Sequence, residues 1–385
     1  MKKNLPREQV RERGLTMPPS LQPDRQLFGA TVALCFIGAV MVFSASAVTL
    51  GQQTGNGYTF LLRQLLWVAL GIGGMFWLMK TDYRKLLQPR VIFTGLSVTL
   101  VLLIAVFFLD RSHQTHRWIR LGPLSLQPSE LAKLVVIVYL AWLLELRRAP
   151  RGFGVNDPLH TLAPALGTVL LVTGLVLAEP DMGTACMIFL IAMVMLYVAG
   201  LSYKYIIATG LAAIPAVALL IILEPYRLER AKAFFAPGSD PQGHGFQLLQ
   251  SLIAVGSGGF SGVGLMESRQ KLFFLPESHT DFIFAVICEE AGFIGAVIVL
   301  ALFAVYGWRG FVAAMKAPDE FGRLLGLGIT TMVVGQALVN LSVVLGLMPT
   351  KGIPLPFISY GGSSLLGMLL ATGVLLNISQ HADET

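Results

Sequence analysis

The chain has 385 residues, of which 55% are hydrophobic and 13% charged, with 28 Lys and Arg against 22 Asp and Glu and a mean hydropathy of +0.70. Soluble domains carry roughly a quarter charged residues, so this chain lacks the polar groups to cover a globular surface of its size. A water-soluble globular fold is excluded, as is a β-barrel, whose ~10-residue strands of alternating polarity are not found here; an all-α polytopic membrane protein is predicted.

Residues 1–26 are polar and dotted with proline, "MKKNLPREQVRERGLTMPPSLQPD" at their start. A secretory signal would place its apolar core much nearer the first residue, so this stretch reads as a cytoplasmic N-terminal tail. A span needs about 20 mostly apolar residues. Such runs lie near 27–48, 62–79, 91–109, 130–146, 161–178, 183–203, 205–223, 282–306, 324–347 and 360–379, giving ten predicted helices in a membrane domain over 27–380. Residues 381–385 form a short cytoplasmic end. The three cysteines, Cys35, Cys186 and Cys288, all fall within spans. An odd count at such sites reads as packing rather than a disulfide framework.

Lys and Arg counts set the orientation. With both termini inside, the inner segments hold 17 and the outer segments 10, with Lys133 left within a span. Half of the outer ten belong to the loop over 224–281, which can translocate whole and is basic enough to face something anionic. Within that loop "YRLERAKAFFAP" spaces its cations helically beside Phe234 and Phe235, as in a helix lying at the membrane interface. "GFQLLQSLIAVGSGGFSGVG" is apolar but broken by glycines. It reads as a partly re-entrant or surface-lying segment, because non-helical backbone at depth needs protein or a wet cavity around it.

Four ionisable residues sit at or within spans, where burial of a lone charge is costly. Lys133 follows a helix start at "LQPSELAKL", with Ser129 as an N-cap and Glu130 in the first turn. A cation one turn into the helix opposes the dipole and needs an anionic partner, or else snorkels. Asp281 ends "PESHTD" and opens span eight at the same depth as Lys133, so the two are predicted to be able to pair across the bundle. Glu289 and Glu290 lie ~12–14 Å deeper at 1.5 Å per residue, pointing roughly 100° apart, and either can be structural. "RWIRLG" at 117–122, "EPDMGT" at 179–184 and "KGIPLPFISYGGSS" at 351–364 bring further charged or conformationally special residues to the same outer face. The inner loops offer little beyond Lys and Arg.

Together "HRWIRLGPLSLQPSELAKL", "AEPDMGTA", "LPESHTDFIFAVICEEAGFIG" and "PLPFISYGGSSLL" resemble the SEDS family of peptidoglycan polymerases, the FtsW and RodA proteins. The likeness runs from "MVFSASA" in span one to the last span. It sits nearer the FtsW branch, on the longer charged tail and the wording around "RWIRLGPLSLQPSELAKL". The resemblance implies a glycosyltransferase that joins lipid II units at the outer face of the cytoplasmic membrane. It also implies a class B penicillin-binding protein as transpeptidase partner, alongside other divisome membrane proteins. It matches Asp281 to the family's catalytic acid and Lys133 to its partner lysine.

In that chemistry a sugar hydroxyl attacks an anomeric carbon and expels a lipid pyrophosphate. One carboxylate can serve as general base, and the anionic leaving group needs cations. Arg63, Arg120, Arg227, Arg230 and Lys133 are the outer-face candidates, and a divalent cation such as Mg2+ is a candidate for the same role. Gln127, Ser129, Glu130, Glu179, His279, Thr280, Glu289 and Ser359 are further candidates for holding substrate; no organic cofactor is expected. If a Lys133–Asp281 pair forms, substrate pyrophosphate would compete for the lysine and free the carboxylate. Two other function classes stay open: a lipid II flippase or other transporter, which would track polar residues across the whole membrane, and a non-catalytic scaffold. A RodA-type elongation polymerase would share the chemistry.

Overall fold

A computed structural model of the protein describes residues 22–54, 59–110, 116–121, 124–148, 153–236, 245–272 and 275–382. Residues 1–21 of the predicted tail and 383–385 of the predicted C-terminal end lie outside them. Twelve helices are found among the described residues, and ten of them carry the predicted spans: α1 (Arg25–Thr54), α2 (Thr59–Met79), α3 (Pro89–Leu109), α4 (Pro128–Arg148), α5 (Ala163–Ala178), α6 (Met182–Val198), α7 (Tyr203–Ile222), α10 (Ile283–Met315), α11 (Glu320–Val344) and α12 (Gly362–Gln380). In lipid every backbone polar group must be satisfied within the segment, so apolar runs of this length become helices. Proline opens α3 and α4, where its missing N–H has no intrahelical role.

Eight of the ten are long and apolar enough to cross a membrane. The others are α4, which carries Glu130, Lys133, Glu145 and Arg147, and α6, which has 17 residues. α6 stops five residues short of the predicted 203. Gly200 takes φ +101° and the Leu201 N–H returns to the Leu196 carbonyl (3.0 Å), a left-handed glycine close to the helix. The stretch around "RWIRLG", read from sequence as plain loop, forms an antiparallel hairpin of β1 (Ile119–Leu121) and β2 (Leu124–Leu126), with Arg120 opposite Ser125. Strands of three residues are too short to give a period-2 signal.

α11 is central, packing against α4, α6 and α10, while α12 packs on α2 and α10 on α1. Ile137, Met195, Leu324, Val333, Leu369 and Leu375 are among the fully buried side chains of this core. α7 stands apart, with no buried residue.

One end of the bundle is laced by polar contacts. Asp24 caps α1 through the Gln26 and Leu27 N–H groups (3.0 and 2.9 Å) and takes Nε of Arg309 from α10 (2.7 Å). Asp319 caps α11 through the Gly322 N–H (2.7 Å) and accepts from the Tyr83 hydroxyl (2.5 Å) and Arg84 Nε (3.0 Å). Asn377 accepts from the Tyr83 N–H (2.9 Å) and donates to the Met79 carbonyl (2.8 Å).

The long segment between α7 and α10 gathers at the other end. "YRLERAKAFF" forms α8 (Pro225–Phe235), and the apolar stretch after it forms α9 (Phe246–Ser257) followed by glycine turns. Those turns run alongside α10 where its helix is broken at Gly292 (φ +62°). Val263 and Gly264 N–H groups bond the Glu289 and Glu290 carbonyls (3.0 and 3.1 Å), and Phe293 and Ile294 N–H groups bond Gly259 and Phe260 (3.0 and 3.3 Å). A Cβ at Gly258 would lie 1.8 Å from the Cys288 carbonyl oxygen, and one at Gly262 2.1 Å from that of Glu290. Only glycine permits this backbone-on-backbone approach. The segment satisfies its own polar groups on protein, as non-helical backbone beside a span must.

Candidate active site

Asp281 lies at the end opposite Asp24, in the turns that lead into α10. Its main chain is held from two sides. Asn340 of α11 donates Nδ2 to the Asp281 carbonyl (2.7 Å) and to the Ile353 carbonyl (2.8 Å). Ser359 donates its hydroxyl to the Thr280 carbonyl (2.6 Å) and accepts the Leu355 N–H (2.7 Å), and the Tyr360 N–H bonds the His279 carbonyl (3.0 Å). His279 packs against the rings of Phe60 and Tyr360, at 5.1 and 5.9 Å, which also meet each other at 4.6 Å. The Thr280 hydroxyl donates to Glu277 (2.8 Å).

The carboxylate itself is left free. Among the described residues Asp281 has no side-chain hydrogen bond or ion pair. Its Oδ2 lies against Gly352, where an added Cβ would stand 3.2 Å away. Burial pushes the Asp281 carboxyl up to about 7, Glu277 and Asp181 push the same way, and Arg230 and Arg117 oppose them. These charges come from four different segments: the turns before α10, the start of α6, α8, and the chain before β1.

The hairpin builds the neighbouring wall. Arg117 and Trp118 N–H groups bond Asp110 Oδ2 (both 3.2 Å), and Arg117 grips the carbonyls of Glu179 (3.1 Å) and Pro180. Asp181 caps α6 through the Thr184 N–H (3.1 Å) and takes Gln127 Nε2 (3.0 Å). The Gln127 N–H meets the Ser363 hydroxyl (3.2 Å). Glu179 is fully buried, and neither carboxylate oxygen has a partner among the described residues. Burial raises it to about 8, Asp181 adding to the shift and Arg117 opposing it.

Several predicted contacts are corrected. Lys133 does not pair with Asp281: its Nζ meets Glu130 (2.9 Å) and Gln336 Oε1 (2.6 Å), all within the buried bundle. The anionic partner that its place one turn into α4 demands comes from the same helix. Ser129 is not the N-cap, because α4 already begins at Pro128; its buried hydroxyl has no partner among the described residues. Glu289 is buried with its carboxylate already engaged. It accepts from the Ser268 hydroxyl and from the Arg269 and Gln270 N–H groups (3.0 and 3.3 Å). Arg227 turns back to the Leu220 carbonyl (3.1 Å), whereas Arg230 lies over the Tyr226 ring and reaches the Thr350 carbonyl (3.4 Å). Arg63 and Arg120 are exposed.

Two residues that sequence reading missed tie the site together. Gln336 and Asn340 lie one turn apart on α11. Gln336 joins Lys133 to the Pro354 carbonyl (2.9 Å), and Asn340 joins Asp281 to Ile353. Two amides at i and i+4 in "MVVGQALVN" were the available signal, since polar side chains in a span face the bundle interior. Among the described residues no three His, Cys, Asp or Glu side chains are gathered to hold a metal ion. What the arrangement offers is a half-buried carboxylate on a clamped main chain, without a side-chain partner among the described residues and within the electrostatic reach of Arg230 and Arg117.

The family model of FtsW/RodA/SpoVE cell cycle proteins matches residues 25–384. A probable peptidoglycan glycosyltransferase FtsW of Trichlorobacter lovleyi is 42% identical over 363 residues, covering 92% of this chain and 93% of its own. Stage V sporulation protein E of Bacillus subtilis is 41% identical over 363 residues, with 94% and 98% covered. Among solved structures, a chain of a peptidoglycan synthase complex, described for its structural coordination of polymerization and crosslinking, superposes with a TM-score of 0.76 at 32% identity, covering 95% of this chain and 100% of that one. The Thermus thermophilus rod shape determining protein RodA superposes with a TM-score of 0.69 at 30% identity, with 96% and 100% covered.

Proposed function

The chain belongs to the FtsW/RodA/SpoVE family, and from that premise we propose that it is a peptidoglycan glycosyltransferase that polymerises lipid II into glycan strands during cell division. Relatives named FtsW at 42% identity over most of the chain support the division role. The observation that carries the mechanism is the Asp281 carboxylate, without a side-chain partner among the described residues while its own main chain is fixed. An acceptor hydroxyl gives its proton to Asp281 and its oxygen bonds the anomeric carbon. The bond from that carbon to the pyrophosphate breaks, and its electron pair leaves on the lipid pyrophosphate. A carboxyl near 7 suits a base working at neutral pH. Arg230 and Arg117 act on the pyrophosphate, since preorganised cations favour charge that grows in the transition state.

Lys133, satisfied by Glu130 and Gln336, fixes α4 against α11 and supports Asp281 indirectly through the amide pair on α11. Mg2+, if used, would be held mostly by phosphate oxygens with one or two carboxylates; among the described residues no three His, Cys, Asp or Glu side chains are gathered for it.

The protein is an integral membrane protein. The excess of Lys and Arg in the segments at the Asp24 end supports a cytoplasmic position for that end. Asp281 then faces outward, at the level where a lipid-linked sugar presents its head group. A class B penicillin-binding protein of the FtsI type is the proposed partner, supported by the likeness to a chain of a complex that couples polymerization to crosslinking. The test is polymerisation of purified lipid II by reconstituted protein, with and without that transpeptidase. Strands from wild type that vanish in Asp281→Asn support the base role. Strands from neither, with the partner present, would move the protein to the flippase reading.

A further inference from the structure

Glu289 and Glu290 lie two turns into α10, and the proposed chemistry uses neither. Both are buried, at 2% and 1% exposure, as is Lys271 at 1%. Lys271 Nζ meets Glu290 (2.7 Å) and the Ser44 hydroxyl of α1 (3.1 Å), and Ser44 also donates to Glu290 (2.6 Å). Beside them Glu289 takes the Ser268 hydroxyl and two N–H groups of the same short stretch. The described residues 268–272 and 275–290 thus form two limbs of a loop, with this buried polar clasp at the foot and Asp281 at the top.

The two limbs of that loop differ. From Glu290 up to Ile283 the chain is helix, which sets its own length at 1.5 Å per residue. From Leu275 to Phe282 it is a run of turns, with Glu277 at φ +54°; no regular structure sets its height, and the Asn340, Ser359 and Tyr360 contacts hold its upper end among the described residues. A buried ion pair is poor evidence of stability and better suited to fixing register. We infer that the Lys271–Glu290–Ser44 clasp, with Glu289 on Ser268, is a positioning device that holds residue 281 in place for the reaction. The catalytic part of this inference rests on the base role of Asp281; the positional part does not. A 1 Å error at a reacting group can cost about 100-fold.

The test uses Lys271→Met with Glu290→Gln, which removes the pair without stranding a buried charge, in full-length protein with its transpeptidase in liposomes. We expect kcat for polymerisation to fall about 10- to 100-fold while KM for lipid II holds within about twofold. Lys271→Arg, which keeps the cation, should retain kcat within about threefold. Position is read separately, by the rate at which a water-soluble maleimide labels Asp281→Cys in a chain whose Cys35, Cys186 and Cys288 are alanine. Adding the double substitution should speed labelling about tenfold or more. Unchanged kcat and unchanged labelling would overturn the inference. Where the double variant fails to fold, Ser44→Ala and Ser268→Ala loosen the same foot more gently and are read the same way. If Asp281→Asn still polymerises, the base role falls and the labelling rates alone decide the clasp.

Discussion

At one end of the bundle Asp319 takes a tyrosine hydroxyl, an arginine and a helix N-terminus; at the other, Asp281 takes no side-chain partner among the described residues. The contrast extends to their neighbours. Gln64, Ser129, Glu179, Gln270 and Asn340, which hold most of the buried side-chain atoms without a partner, belong to the Asp281 side, with Thr99 and Arg147 elsewhere. Each such group costs about 1–3 kcal/mol. Among the described residues, the polar side chains at the Asp319 end are paired with one another, whereas several at the Asp281 end are not. Stability is concentrated where the helices are laced, and reactivity where they are not.

Substitutions at the two ends should therefore fail differently. The largest effect belongs to Asp281→Asn, which should lower polymerisation by about 10²–10⁴-fold, the usual worth of a general base, with the thermal unfolding midpoint in detergent unchanged or raised. Asp319→Ala should do the reverse. Loss of a cap and of two charge-assisted contacts, one of them half-exposed, costs on the order of 2 kcal/mol, read as a lower midpoint with unchanged kcat per folded molecule. An Asp319 variant that kept its midpoint but lost activity would break the comparison.

Smaller effects sharpen it through pH. The Asp281 carboxyl sits near 7 and must be ionised to act, so kcat/KM should rise as pH climbs through about 7. Arg230 holds that value down and Glu277 holds it up. Arg230→Gln should move the acidic limb to higher pH and Glu277→Gln to lower pH, each in a full pH–rate series. The smallest effect concerns Glu179, raised to about 8 by burial. Its folded form keeps a proton that the unfolded chain releases near 4.5, so its contribution is whole below 4.5 and is lost as pH rises through 8. Glu179→Gln should raise the midpoint at pH 8.5 and leave it unchanged at pH 4, compared at the two values.

The spans were legible because each is a local statement about some 20 residues, and Asp281 because a carboxylate at a span start is conspicuous. The helical spacing of "YRLERAKAFF" likewise sufficed for α8. What could not be read were partners. Lys133 finds Gln336 at a separation of 203 residues and Ser44 finds Glu290 at 246, and no local pattern encodes which helix faces which. Depth alone matched Lys133 with Asp281, yet a nearer carboxylate on its own helix satisfied the charge first. The β1–β2 hairpin was missed for a different reason, since its two strands are shorter than any window in which alternation can be counted.

The broken helix α10 also constrains how the protein can fold. Glu289 and Glu290 enter the bilayer inside a span, where an acidic side chain costs about 2.5–3.5 kcal/mol on insertion scales. Their partners are Ser44, synthesised some 240 residues earlier, and a stretch ending about 20 residues before them. Both that stretch and α1 therefore have to reach α10 before its two carboxylates are satisfied. Span eight is thus completed by span one, and folding of the second half depends on the first.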